Sequence, residues 1–196
     1  FVLCDVDCLR TLPDDIFRDG CAEVIKYGIL YDPALFAQLE RDGLHFNREK
    51  IIAQCVRWKR DVVMEDEFDT GLRMKLNLGH TIGHGIEARS EFCISHGKAV
   101  AVGMAIIARA AAKFGYCAKD VQEQILHILN TFGLPTKTNY SSDELYEFTL
   151  SDKKRDGSKI KGCMTLFYLL TEEPVFQKVL EKFFDGNMDV YTKSHL

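Results

Sequence analysis

The stretch Asn77-Leu78-Gly79-His80-Thr81-Ile82-Gly83-His84 decides how the rest of the chain is read. With about 3.6 residues per turn, His80 and His84 fall on one face of a helix. That spacing can bring two imidazoles to one zinc ion, and it suits a pair of packed or exposed histidines equally well. Gly79 and Gly83 are poor helix formers, each costing roughly 1 kcal/mol relative to alanine. Their presence implies that something approaches the backbone closely. His96 follows, with Gly97 at an expected helix start. It is placed either to reach the same ion or to make a local hydrogen bond. His45, His127 and His195 have no partners in sequence and read as surface or packing residues.

Outward from this block the chain reads as a run of helices. Pro13-Asp14-Asp15 opens the first, with acidic residues favoured in the first turn. Its inward positions are Ile16, Ala22, Ile25 and Ile29. Pro33 opens a shorter second helix through Leu39. Asn47 is the N-cap of a third, which carries Ile51, Ile52, Cys55, Val56, Val62 and Val63 at helical spacing. A fourth is expected over residues 72–88, a fifth over 97–114 and a sixth over 119–132, ending at Gly133-Leu134-Pro135. Ser141-x-x-Glu144 has the form of a capping box, so another short helix follows. Residues 160–170 and 175–179 are rich in β-branched and aromatic side chains and suit a small β-ribbon. The fold class is therefore mainly α: a multihelical array with a small β-ribbon near the C-terminus.

Composition removes several function classes. A formal net charge of -4 argues against a nucleic-acid partner, which normally meets a basic stripe. The most apolar run, residues 99–108, is about half the length of a membrane span, so no membrane partner is expected. The seven cysteines are odd in number and form no CxxC pair. They read as free thiols buried as small apolar side chains, which implies a reducing, cytoplasmic setting. The chain begins at Phe1 without a basic-then-apolar leader and reads as cut from a longer polypeptide.

Three further charged clusters stand out. Glu23 and Lys26, three apart in Ala22-Glu23-Val24-Ile25-Lys26-Tyr27-Gly28, share a helix face within an apolar stretch. Charges so placed tend to be buried and then need a metal, a ligand or each other. Lys59, Asp66, Glu67, Asp69, Arg73 and Lys75 read as a solvated face, and Asp152-Lys153-Lys154-Arg155-Asp156-Gly157 as a charged turn.

In order along the chain, these segments resemble the C-terminal half of the 3-dehydroquinate synthases, a family of sugar-phosphate cyclases. The resemblance runs through Leu12-Pro13, Phe17-Arg18-Asp19-Gly20 and Ala22–Gly28, then Asp66-Glu67 and Gly71-Leu72-Arg73. It continues through Leu76–His84, His96-Gly97-Lys98-Ala99-Val100-Ala101-Val102-Gly103-Met104 and Asp152-Lys153-Lys154. It implies that residues 1–12 are a remnant of an interdomain connection. Residues 13–196 would form the helical metal- and substrate-binding domain, without the N-terminal Rossmann-like domain that holds most of NAD. No G-x-G-x-x-G stretch occurs, in keeping with that expectation.

By the same resemblance the metal ligands are Glu23, His80 and His96, holding zinc or, alternatively, cobalt. One carboxylate and two imidazoles leave a zinc ion open positions for catalysis. His84, Asp69 and Lys26 are implied as catalytic groups. Glu23, Lys26, Lys59, Arg73, Asn77, His84 and Lys153 or Lys154 are implied around a small phosphorylated sugar acid. Cys8, Leu9, Arg10, Thr11 and Asp19 are implied to touch the nucleotide. The implied reaction converts 3-deoxy-arabino-heptulosonate 7-phosphate to 3-dehydroquinate and phosphate in the shikimate pathway. It proceeds by transient oxidation with NAD, phosphate elimination, re-reduction, ring opening and an aldol closure. The implied partners are that substrate and the NAD-binding domain, and a homodimer is allowed. On this reading the chain by itself is inactive.

Two positions depart from the family pattern. Asp69 stands where glutamate is usual, one methylene shorter, and Lys98 stands where an acidic residue usually follows His-Gly. Rival readings are another sugar-phosphate cyclase, a glycerol dehydrogenase-like metal-dependent oxidoreductase, or a non-catalytic metal-binding helical module.

Overall fold

The computed structural model describes residues 3–68, 72–150, 155–156 and 159–160. Seven α-helices make up most of these: α1 (Asp14–Tyr31), α2 (Pro33–Asp42), α3 (Arg48–Glu65), α4 (His80–Arg89), α5 (His96–Lys113), α6 (Lys119–Thr131) and α7 (Ser142–Leu150). Short 3-10 turns cover Val6–Thr11, Gly43–His45 and Leu72–Asn77. The first of these turns lies within the expected interdomain remnant, residues 1–12. Arg155–Asp156 pairs antiparallel with Lys159–Ile160. The ribbon expected over 160–170 and 175–179 lies, apart from Ile160, outside the described residues.

The expected helix starts are borne out by their caps. The Asp32 side chain accepts from the amides of Ala34 and Leu35, and Asn47 accepts from Lys50 at 3.0 Å. Ser141 and Glu144 exchange backbone-to-side-chain bonds at 2.8 and 3.3 Å, a complete capping box at the head of α7. The expected helix over 72–88 is broken instead. A 3-10 turn ends at Asn77, Gly79 takes a φ of +77°, and α4 begins at His80.

α5 forms the centre. It packs its Val100, Ala101, Met104, Ala105 and Ala108 with Ala22 and Ile25 of α1, Leu35 and Leu39 of α2, Ile51 of α3 and Ile128 and Leu129 of α6. Its Ala99, Val102 and Ile107 join Ile82 and Ile86 of α4 and Leu145 of α7 in a second cluster. A helix buried on several sides must be slim, which explains its alanines and glycines. A Cβ at Gly103 would stand 2.1 Å from the Gly79 carbonyl oxygen, and one at Gly83 3.1 Å from the Val100 Cα. The close approach expected at Gly79 and Gly83 is therefore that of α5.

Two expected inward positions face outward. Ile16 and Val56 are about half exposed, and of the six described cysteines, all free thiols, only Cys21 is buried. Amphipathic spacing sets a stripe, but only the partner helices decide how wide a part of it is covered.

Candidate metal centre

Glu23 on α1, His80 at the first turn of α4 and His96 at the first turn of α5 present donor atoms within 4.8 Å of one another. The helix starts are what bring them together. Asp19, one turn before Glu23, reaches across to α5. Its Oδ1 accepts from Ser95 Oγ at 2.5 Å and the Lys98 amide at 2.8 Å, and its Oδ2 accepts from the Gly97 amide at 3.0 Å. Asp19 thus caps α5 from another helix, and its negative charge suits that positive end. The contact demands glycine at 97, where a Cβ would lie 1.9 Å from the Asp19 carbonyl oxygen.

The hydrogen bonding of the rings shows what they offer. His80 Nδ1 lies 3.1 Å from the Leu78 carbonyl, which can only accept. In its neutral form the ring then carries its proton on Nδ1 and turns the Nε2 lone pair toward Glu23 Oε1, 3.0 Å away. His96 Nε2 lies 3.8 Å from the same oxygen. That oxygen is buried and has no hydrogen-bond donor among the described residues. An orphaned carboxylate oxygen facing two imidazole lone pairs is unfavourable unless a cation or a proton stands between them. The donor set, one carboxylate and two imidazoles, fits zinc with open positions.

Lys26 forms the floor. It is 3% exposed, and its Nζ donates to Glu23 Oε2 at 2.7 Å and to the Leu76 carbonyl at 2.8 Å. The burial inferred from its apolar flanks is correct. Burial alone pushes the Glu23 carboxyl up, but the hydrogen bond that His80 Nε2 donates when its ring carries both protons, together with the Lys26 ammonium, outweighs it and holds the pKa at about 2.

His84 is exposed beside the centre, its ring 5.5 Å from His80 and 5.9 Å from His96. A second donor group joins it: His84, Glu87 and His96. Glu87 escaped the sequence reading, although its position seven residues after His80 and three after His84 puts it on the same helix stripe.

The other expected site residues are less gathered. Lys59 is exposed on α3. The Arg73 guanidinium donates to the Glu67 carbonyl at 3.1 Å, and its amide donates to Asp66. Asn77 is half-buried in the turn before α4. Asp69, Lys153 and Lys154 lie outside the described residues. Cys8, Arg10 and Thr11 are exposed, while Leu9 is half-buried with its carbonyl 3.5 Å from Arg48 Nη1. Both Asp19 oxygens already accept hydrogen bonds. His45 and His127 are exposed, as expected.

Comparison with known proteins places this geometry in a class. The 3-dehydroquinate synthase C-terminal family matches residues 20–155, and the chain belongs to that family. The 3-dehydroquinate synthase of Pelobacter propionicus is 43% identical over 161 residues, covering 78% of this chain and 45% of that protein. That of Streptococcus gordonii is 40% identical over 167 residues, covering 82% and 47%. The chain thus spans about half the length of the curated relatives it matches. A 2-epi-5-epi-valiolone synthase from Streptomyces hygroscopicus, solved with NAD+ and Zn2+ bound, superposes with a TM-score of 0.69. It is 21% identical, over 74% of this chain and 43% of that one, and shows the shared fold. A second family, described as a protein of unknown function (DUF1810), matches residues 137–196, so residues 156–196 fall in that match and not in the first.

Proposed function

We propose that this chain is the metal- and substrate-binding half of a 3-dehydroquinate synthase that releases phosphate from 3-deoxy-arabino-heptulosonate 7-phosphate. The convergence of Glu23 Oε1 with the Nε2 atoms of His80 and His96 carries this reading. These three residues would hold zinc, which when bound favours the alkoxide form of a substrate hydroxyl. Glu23 presents its charge without a large solvation loss because Lys26 neutralises it from below. His84, exposed at the rim, takes or gives a proton at its free edge toward substrate. Arg73, Asn77 and Lys59 supply the donors a phosphate and a carboxylate require. NAD chemistry belongs to the part of the relatives that this chain does not span, so the chain alone is inactive.

Elemental analysis tests the centre: near one zinc per chain, lost in His80→Ala and in His96→Ala. Absence of zinc after reconstitution overturns it. For the reaction, the chain is mixed with the N-terminal half of a relative, NAD and substrate. Phosphate release without net NADH supports the cyclase, whereas accumulating NADH favours a glycerol dehydrogenase-like oxidoreductase.

A further inference from the structure

We propose that Glu87 is a positioning residue for His96. Its carboxylate accepts a hydrogen bond from His96 Nδ1–H, which fixes the ring in one tautomer and leaves Nε2 as a lone pair aimed at Glu23 and His80. The inference rests on the metal-centre reading above.

The geometry is direct. His96 Nδ1 lies 3.1 and 3.2 Å from the two Glu87 carboxylate oxygens, while Nε2 points the other way, 3.8 Å from Glu23 Oε1. A carboxylate can only accept, so in the neutral ring the shared proton sits on Nδ1. His80 has the same arrangement, with the Leu78 carbonyl in the place of Glu87. The two rings differ in how much else holds them. The His80 side chain is 13% exposed and packed, whereas that of His96 is 43% exposed and needs a tether against rotation. The Glu87 side chain, at 14%, is the better-buried member of its pair. Its backbone carbonyl also accepts from Ser90 Oγ at 3.0 Å and the Phe92 amide at 2.9 Å, and Ser90 Oγ accepts from the Ile94 amide. Residue 87 therefore anchors both the ring of His96 and the loop that delivers it. Outer carboxylate partners of this kind typically change metal affinity 10–100-fold.

The test uses wild type, Glu87→Gln and Glu87→Ala. Ring-nitrogen NMR of the metal-free protein, above the ordinary histidine pKa of about 6.5, should show His96 protonated on Nδ1 in wild type and Glu87→Gln, and mixed tautomers in Glu87→Ala. Zinc titration against a chromophoric chelator should show one ion per chain throughout. Affinity should fall about 10–100-fold in Glu87→Ala and less in Glu87→Gln. A wild-type His96 protonated on Nε2 overturns the proposal, as does unchanged affinity in Glu87→Ala. A stoichiometry that drops from two ions to one also overturns it, because Glu87 is then a ligand of a second ion with His84. An Nδ1 tautomer that depends on Glu87, in a chain that takes up no zinc, upholds the positioning role and sinks the metal centre instead. If Glu87→Ala does not fold, the wild-type tautomer alone decides.

Discussion

Glu23, His80 and His96 come from three helices, yet their donor atoms stand within 4.8 Å of one another. Lys59 and Arg73 come from neighbouring segments, yet one is exposed on α3 and the other turns to the Glu67 carbonyl. The difference lies in what holds each group. The metal-ligand corner sits on backbones in direct contact, at Gly97 against Asp19 and at Gly103 against Gly79. Short side chains on such backbones have little freedom left to lose. The cations hang on long, flexible stems whose rotamer entropy opposes gathering like charges without an anion. The fold thus gathers the three donor atoms of that corner in advance and, on the proposed reading, leaves the anion site to its ligand.

The hardest blow to the prepared corner is Glu23→Ala. It removes a ligand and leaves the Lys26 ammonium without its carboxylate. Lys26 is buried but the Glu23 side chain is 36% exposed, so the cost of breaking a buried pair from one side is discounted for solvent screening to about 2 kcal/mol, read as a lower urea midpoint in zinc-free protein. Adding Lys26→Met should restore much of the loss. A loss below about 1 kcal/mol, the range of an exposed ion pair, would mean that the corner is held no better than the cation set.

The same carboxylate gives a pH signature. Its pKa is lowered on folding from 4.5 to about 2, so its contribution is full above pH 4.5 and is lost as pH falls toward 2. Zinc-free Glu23→Ala should therefore show a shallower loss of stability across that window than wild type. Parallel slopes would place the acid-sensitive group elsewhere.

Gly97→Ala comes next. Its methyl would meet the Asp19 carbonyl oxygen, and overpacking of this kind costs about 1–3 kcal/mol. The measurement is the urea midpoint together with zinc affinity, which should fall together because the strain sits at the head of α5 beside His96. Asp19→Ala removes the cap without a clash and should cost about 1 kcal/mol. Unchanged stability there would show that α5 is held by packing alone.

The smallest effect belongs to the other region. Lys59→Ala should leave stability within about 0.5 kcal/mol and zinc content unaltered. Its effect should appear only as weaker binding of an anionic substrate once the NAD-binding half is supplied. A clear loss of stability would make the α3 cations structural and erase the contrast.

Much of this was legible in the amino-acid order. The caps at Asn47 and Ser141 were readable because capping is local, spanning three residues of backbone. The buried Lys26 was readable from its apolar flanks, and the grouping of Glu23, His80 and His96 from the resemblance of the whole segment order. The break at Gly79 was not, because a left-handed residue inside a helical pattern is indistinguishable by spacing from a helical one. The exposed Ile16 and Val56 were missed for the reason that periodicity gives a direction but not a partner.

By itself the sequence determined where most of the helices begin, which residue types could hold a metal and which family the chain belongs to, since these rest on short-range chemistry and on order. Tertiary structure alone decided that Asp19 caps a helix nearly eighty positions away, and that Glu87 faces His96. It also showed that the glycines near the histidines make room for another helix. Those facts depend on where backbones cross, and a crossing is set by the packing of the whole core rather than by any stretch of chain.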